Sequence, residues 1–205
     1  MIGIDEVGRG PLAGPIGVGV VLVSGDFDWD LIEGVNDSKQ LKSEKREAIF
    51  QLAKKLKKSN QLDYAVSMVS ASTIDKIGIV PATNLAMSRA LKKITAISPK
   101  LNLEDVVVKL DGGLKAPVEY INQETIIKGD SKEKSIGLAS IVAKVTRDNY
   151  MEKLAKKPEF SAYRFEKHKG YGTKLHRQAI YESGLSSQHR ISFCKNIMNK
   201  KTASC

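Results

Sequence analysis

Residues 1–17, MIGIDEVGRGPLAGPIG, hold two neighbouring carboxylates between a short apolar run and a glycine-rich turn. The acids are Asp5 and Glu6, and a valine-rich run follows the turn at residues 16–23. β-Branched runs on both sides of glycine and proline predict two strands joined by a tight connection. Because neighbouring side chains of a strand point to opposite faces, we expect Glu6 to lie at the strand end, where it reaches the same site as Asp5. Burying such acids is costly unless a positive group binds them.

The glycine-rich turn has two other interpretations. Gly8, Gly10 and Gly14 weakly resemble a dinucleotide-binding loop, but that loop needs a helix directly after its glycines. Here Pro11 and Pro15 intervene and a second strand follows, which disfavours a dinucleotide site. An ordinary hairpin with solvated acids stays open on these residues alone.

Length and composition predict a single globular domain, with room for a small appendage. The chain has 205 residues, of which 41% are hydrophobic, enough to build a core. No apolar run reaches the roughly 18–20 residues of a membrane span, and the N-terminus lacks a secretory leader. Cys194 and Cys205 do not form a disulfide framework. We expect a cytoplasmic protein without membrane attachment, present as a monomer.

The positive charge is concentrated in the C-terminal third of the chain. Residues 1–143 carry 19 Lys and Arg against 18 Asp and Glu, whereas residues 144–205 carry 14 against 5. A nearly neutral body with a basic third is typical of a protein that binds a polyanion. A generic solubilising surface is the alternative.

Strands alternate with helices along the chain, which predicts an α/β fold with an antiparallel section at the opening strand pair. Strands are predicted at residues 62–70, 105–111 and 123–130, and helices at 44–58, 71–77, 82–97, 134–157 and from 173 to a stop at Gly184. Small residues in the helix at 134–157 predict close packing on a neighbour. The pattern changes after Pro158, so we divide the chain into residues 1–157 and a basic helical extension at 158–205.

Three predicted strands end in acid, at Asp5 and Glu6, at Asp111 and at Asp130. Acids at adjacent strand ends converge and repel one another unless hard cations lie between them. Mg²⁺ and Mn²⁺ prefer such oxygen ligands, and zinc fits poorly because no Cys/His cluster has ligand spacing. Two such ions activate water and stabilise the leaving oxygen in phosphodiester cleavage. Taken singly, each acid is explained equally well as the end of a strand.

Several segments in order along the chain resemble ribonuclease HII, the type 2 ribonuclease H. They cover nearly the whole sequence, and the opening one is the most specific. The segments are GIDEVGRGPLAGP, NDSKQL, NLAMSRAL, KLDGG, IKGD, ASIVAKVTRD, HKGYGTKLH and HRISF.

The resemblance implies an RNase H-like mixed β-sheet flanked by helices, with a helical C-terminal extension that contributes to substrate binding. It implies that Asp5, Glu6, Asp111 and Asp130 are catalytic and hold two divalent ions, Mg²⁺ or Mn²⁺. The expected activity is hydrolysis of the RNA strand of RNA/DNA hybrids. The family also cuts 5′ of ribonucleotides embedded in duplex DNA, leaving 3′-hydroxyl and 5′-phosphate ends, and so begins ribonucleotide removal.

The resemblance also implies that Gly8, Arg9, Gly10 and Tyr171 sense the 2′-hydroxyl, the group that distinguishes RNA from DNA. Glycines let the main chain approach a minor groove closely. Lys39 is a candidate phosphate contact, although a solvated lysine explains it equally well.

Two alternatives to this activity remain at the level of sequence. The chain could be a non-catalytic binder of structured nucleic acid, or a related nuclease that needs several consecutive ribonucleotides. The three histidines, His168, His176 and His189, are expected in structural or phosphate-contacting roles, because a two-metal site needs no histidine.

Overall fold

The computed structural model describes residues 1–36, 41–99 and 101–202, which fold around a five-stranded mixed sheet. The strands are β1 (Ile2–Val7), β2 (Ile16–Val23), β3 (Leu62–Val69), β4 (Val108–Asp111) and β5 (Gln123–Ile126), in the spatial order β3-β2-β1-β4-β5. β1 and β2 pair antiparallel, as do β2 and β3, whereas β4 runs parallel to both β1 and β5. The predicted α/β class and the antiparallel opening pair are confirmed.

Eight α-helices in the described residues surround this sheet and extend beyond it. They are α1 (Ser43–Lys58), α2 (Ala71–Ile77), α3 (Ile79–Ile97), α4 (Gly129–Lys132), α5 (Lys134–Ala155), α6 (Phe165–His168), α7 (Lys174–Ser183) and α8 (Ile191–Thr202), with 3-10 helices at Trp29–Ile32 and Pro158–Tyr163. None of the helices described is both long enough and apolar enough to cross a membrane.

Strand alternation divides the core between the two faces of the sheet. Ile2 and Ile4 of β1 pack with the apolar side of α3 on one face. On the other face Val21 and Val23 of β2 pack with α1 and α5. β1 is therefore covered on both sides.

The helix α5 approaches β1 and β2 unusually closely because glycines face it. A Cβ atom added at Gly3 would lie 2.3 Å from the Ser135 carbonyl oxygen, and one at Gly19 would lie 2.4 Å from that of Ala139. On the helix side, a Cβ at Gly137 would lie 2.3 Å from the Val35 carbonyl oxygen. The prediction that small residues of this helix allow close packing is confirmed, and glycines of the two strands allow the same close approach.

The third helix begins earlier than predicted, at Ile79 instead of after Pro81. Proline is tolerated there because the N–H groups of a first helical turn have no partner within the helix.

The strand predicted at residues 123–130 is shorter, and the expectation that it ends at Asp130 is wrong. β5 ends at Ile126, and Lys128 adopts a left-handed conformation with φ of 55°. That conformation breaks the extended chain, so Asp130 lies in the single helical turn α4. β5 is also mostly exposed, as befits an edge strand.

Candidate active site

A cavity of about 390 Å³ lies beside the carboxyl ends of β1 and β4. The sheet topology explains this position, since parallel strands bring their carboxyl ends to one edge. Segments distant in sequence meet here, and the lining residues are Asp5, Glu6, Val7, Gly8, Arg9, Gly10, Arg46, Asp111, Ser140, Lys144 and Tyr171.

Three of the four predicted acids line this cavity. Asp5 is buried, and its Oδ1 accepts a hydrogen bond from the Glu6 main-chain N–H at 2.8 Å. Glu6 lies one residue before the end of β1, and its Oε1 is 3.8 Å from Arg9 Nη1. The Oδ1 atom of Asp111 accepts from the Gly129 N–H at 2.6 Å, which ties the end of β4 to the start of α4.

The fourth acid, Asp130, is buried in α4 and does not line the cavity. It follows directly after Gly129, whose N–H group binds Asp111. Asp130 is therefore close in sequence to a residue that binds Asp111, but its side chain is buried and does not line the cavity.

The donor atoms of these four acids suit a hard divalent cation, because all of them are carboxylate oxygens. Across residues 1–36, 41–99 and 101–202, no group of three or more His, Cys, Asp or Glu side chains is arranged to hold a metal ion. The four acids nevertheless offer the donor chemistry that such an ion prefers.

The glycine-rich turn forms the cavity wall next to Asp5 and Glu6. Gly8 has φ of +83°, which favours glycine, and a Cβ there would lie 2.3 Å from Arg147 Nε. A Cβ at Gly10, in contrast, would meet nothing within 4 Å. The protein itself therefore requires a glycine at position 8 but leaves open space at position 10.

Tyr171 faces the same cavity from the C-terminal part of the chain and is 40% exposed. Lys144 Nζ lies 5.8 Å from the centre of its ring, and Arg147 Cζ lies 5.7 Å from it. The predicted substrate-binding residues Gly8, Arg9, Gly10 and Tyr171 are thus brought together, whereas Lys39 lies outside the described residues.

Comparison with known proteins shows to which family the chain belongs. The family model for Ribonuclease HII matches residues 2–196. Ribonuclease HII of Endomicrobium trichonymphae is 47% identical over 191 residues, which cover 93% of this chain and 83% of the relative. The chain belongs to the ribonuclease HII family. It is therefore an endonuclease, a hydrolase that acts on RNA in RNA/DNA hybrids, and enzymes of this kind use divalent metals.

Solved structures show the same fold at lower sequence identity. The RNase HII in a PCNA complex from Archaeoglobus fulgidus has a TM-score of 0.70 at 24% identity, with 93% of each chain covered. Bst-RNase HIII in complex with Mn²⁺ has a TM-score of 0.76 at 19% identity, covering 98% of this chain and 70% of that one. The RNase H-like fold is thereby confirmed.

Two cations in this ribonuclease HII site escape prediction from sequence. Arg46 of α1 and Lys144 of α5 both line the cavity. Lys144 also donates to Asp148 Oδ1 at 2.9 Å, one helical turn further on. The sequence predicts only the face of its own helix on which each residue lies. It does not predict that the two helices pack so that both residues reach one cavity.

Two buried arginines also escape prediction, because arginine in a basic segment is ordinarily assigned to the surface. Arg147 and Arg190 are both fully buried. Burial lowers the pKa of Arg190 to about 10, so its guanidinium group stays charged at neutral pH. The motifs ASIVAKVTRD and HRISF contain them, which is the available sequence signal.

The three histidines form a buried, internally bonded cluster, in agreement with the predicted structural role. His176 Nε2 lies 3.0 Å from His189 Nε2, and His168 stacks on His176 at 4.3 Å between ring centres. His189 Nδ1 accepts from the Ser186 N–H, so its Nε2 carries the proton and donates to His176. His176 Nδ1 then donates to the Tyr171 carbonyl at 2.9 Å. Neutral rings are thus part of the support beneath Tyr171.

The thiol of Cys194 takes no part in this site. It is fully buried, and burial raises its pKa to about 11, which keeps it protonated. Cys194 therefore packs in the core.

Proposed function

We propose that this enzyme is a monomeric endoribonuclease that cuts the RNA strand of RNA/DNA hybrids and the 5′ side of single ribonucleotides embedded in duplex DNA. Cleavage leaves 3′-hydroxyl and 5′-phosphate ends and begins ribonucleotide removal. The reaction depends on two divalent ions, Mg²⁺ or Mn²⁺.

One observation carries the proposal. The acids Asp5, Glu6 and Asp111 share a cavity with the Gly8–Gly10 turn and with Tyr171. A non-catalytic binder has no need to place repelling carboxylates next to the groups that contact a polyanion. Their proximity favours an enzyme that places a phosphodiester beside metal-binding acids.

In this proposal Asp5, Glu6, Asp111 and Asp130 hold the ions. Divalent ions held there would lower the pKa of water and would stabilise the leaving oxygen of the phosphodiester. Mn²⁺ bound to the structurally similar Bst-RNase HIII supports the choice of metal. The cavity wall from Gly8 to Gly10 and the ring of Tyr171 orient the ribose, and Arg46 and Lys144 contact phosphate oxygens.

Residues 158–205 serve as a helical extension that adds substrate contacts to the catalytic part at residues 1–157. Tyr171 supports this division of roles, since it reaches the cavity from the extension. The exposed cations of the extension include three lysines, Lys167, Lys174 and Lys195. Such lysines favour affinity for a phosphate backbone without sequence preference.

The test is a cleavage assay with Mn²⁺ on duplexes that contain one ribonucleotide, four consecutive ribonucleotides or none. Asp5→Asn and Asp111→Asn are expected to abolish cleavage while duplex binding is retained, because only the ion ligands are lost. Asp63→Asn is a matched control. Asp63 lies on the edge strand β3, does not line the cavity and forms an ion pair with Lys57 at 3.2 Å.

Three outcomes separate the alternatives. A wild-type protein that binds the duplex and leaves it uncut is a nucleic-acid binder. Cleavage at four ribonucleotides but not at one indicates a nuclease of different preference. Near-native cleavage by either asparagine variant shows that the catalytic acids are assigned incorrectly.

A further inference from the structure

Two buried arginines, Arg147 and Arg190, bind main-chain carbonyl groups of the glycine-rich turn. Each donates three hydrogen bonds to carbonyl groups. Arg147 binds the carbonyls of Pro15 at 2.9 Å, Lys169 at 3.0 Å and Ala13 at 3.2 Å. Burying a guanidinium group is costly unless its donors are satisfied, and these carbonyls satisfy them.

Arg190 binds the part of the turn that lines the cavity. Its Nη2 donates to the Gly8 carbonyl at 2.6 Å, its Nη1 to that of Arg9 at 2.9 Å, and its Nε to that of Gly14 at 3.0 Å. Its own N–H donates to the Leu12 carbonyl. One planar side chain therefore joins the first and the last residues of the turn.

The direction of the carbonyls fixes the direction of the neighbouring amides. The described residues contain no cis peptide bond, and in a trans peptide the C=O and N–H groups point in opposite directions. Because the carbonyls of Gly8 and Arg9 point at Arg190, the N–H groups of Arg9 and Gly10 point away from it. Within the described residues, no hydrogen bond uses either of these two N–H groups.

The other side of the turn is the cavity wall, and Arg190 does not itself line the cavity. We propose that Arg190 is a positioning residue, which holds the turn so that the N–H groups of Arg9 and Gly10 face the ribose and its phosphate. This inference rests on the proposed function, because it names the residue that sets the geometry of ribose sensing.

Arg190 is itself anchored from outside the turn. It immediately precedes α8, whose first two N–H groups donate to Asp75 of α2, from Ile191 at 2.7 Å and from Ser192 at 3.0 Å. The Ser192 hydroxyl also binds Asp75. The position of Arg190 is therefore set by α2 on one side and by the turn on the other.

The variant Arg190→Lys tests the proposal. It keeps the positive charge, but an ammonium group cannot reproduce three bonds in the planar arrangement of a guanidinium group. On the one-ribonucleotide duplex we expect kcat to fall about 100-fold, the effect of a small misplacement of reacting groups. KM is expected to stay within about threefold, because the exposed cations that bind the duplex are unchanged.

Two further variants separate positioning from stability. Leu91→Ala removes a buried side chain of α3 that does not line the cavity, and we expect a lower Tm with native kcat per folded molecule. Asp75→Asn loosens the anchor without touching the buried guanidinium group, and we expect a smaller fall in kcat with KM unchanged.

A folded Arg190→Lys protein with native kcat overturns the inference. The inference is also overturned if kcat of Arg190→Lys falls no further than kcat of Leu91→Ala when the two variants have the same Tm. If Arg190→Lys does not fold, native kcat in Asp75→Asn overturns it instead. The proposed function is refuted by a different result, in which the wild-type protein cuts no duplex that contains ribonucleotides. The failure of the inference about Arg190 can therefore be told apart from the failure of the proposed function.

Discussion

Gly8 and Gly10 stand two positions apart in one turn, yet their surroundings differ. At Gly8 the backbone is left-handed, and Arg147 together with the Pro15 carbonyl fills the space that a side chain would take. At Gly10 the protein places nothing in that space. In the proposed function, the substrate approaches the turn through this open space.

Alanine at each of these positions is expected to give opposite results. Gly8→Ala should lower the free energy of unfolding by about 1–3 kcal/mol, because of backbone strain and a clash with a side chain that cannot move. Gly10→Ala should leave it within about 0.5 kcal/mol, while cleavage slows at least about tenfold because the added methyl group displaces the ribose. Thermal unfolding and the one-ribonucleotide assay measure both effects.

These expectations are contradicted if Gly10→Ala cuts at the native rate, or if it unfolds as readily as Gly8→Ala. The first result would mean that the substrate does not approach the turn at this point. The second would mean that the protein itself needs the glycine.

At the scale of elements, the contact between α5 and the opening strands carries the geometry of the site. α5 supplies Ser140 and Lys144 to the cavity, and β1 supplies Asp5 and Glu6. Glycines in both strands allow the helix to lie close to the sheet. The distance between helix and sheet therefore sets the width of the cavity.

Gly19→Ala tests this contact. The added Cβ would lie 2.4 Å from the Ala139 carbonyl oxygen, so the helix has to move away from β2. We expect a loss of about 1–3 kcal/mol of stability, typical of overpacking, and slower cleavage because Ser140 and Lys144 move with the helix. Chemical denaturation and the cleavage assay are the measurements.

Gly17→Ala is the matched control on the same strand. Its Cβ would meet side-chain atoms first, at 3.1 Å from Val7 Cγ1, and side chains yield more easily than a helix backbone. A Gly19→Ala protein that is as stable and active as Gly17→Ala would show that the close approach of α5 is not needed.

Periodicity and composition predict most of these elements but not how they meet. The strands β1 and β2 and the helix α7 follow their local signals, including the stop at Gly184. The end of β5 does not, because it depends on Lys128 adopting a left-handed conformation. The next residue, Gly129, donates a hydrogen bond to Asp111, a contact that periodicity cannot reveal.

On the scale of the whole molecule, the histidine cluster links stability to pH. Burial lowers the pKa of both His176 and His189 from 6.5 to about 4. The unfolded chain therefore binds more protons than the folded chain between these values, so stability is complete above pH 6.5 and falls as the pH drops towards 4. Protonation would also place two N–H groups against each other between the rings.

We expect the free energy of unfolding to fall on the order of a few kcal/mol between pH 6.5 and pH 4.5. All three histidines of the chain belong to the cluster, so no other histidine contributes. Melting temperatures across this range measure the effect. His189→Gln should flatten the profile, and a profile as steep as that of the wild type would contradict the assignment.

The charge count of the basic C-terminal third overstates the positive charge that the protein presents at its surface. Net charge counts every arginine alike, but Arg147 and Arg190 are fully buried and present no charge to a nucleic acid. The four acids could be picked out because the family motifs contain them. The support beneath the turn could not, because it depends on residues from three distant segments packing together.

The bond between Arg9 and Arg190 joins residues 181 positions apart. A ribosome that adds about 5–20 residues per second needs about 10 to 40 s to travel from one to the other. During this interval a nascent chain already contains Asp5 and Glu6, but the turn next to them lacks its hydrogen bonds from Arg190. In the proposed function, the surface that senses the ribose is therefore completed only after Arg190 has been added.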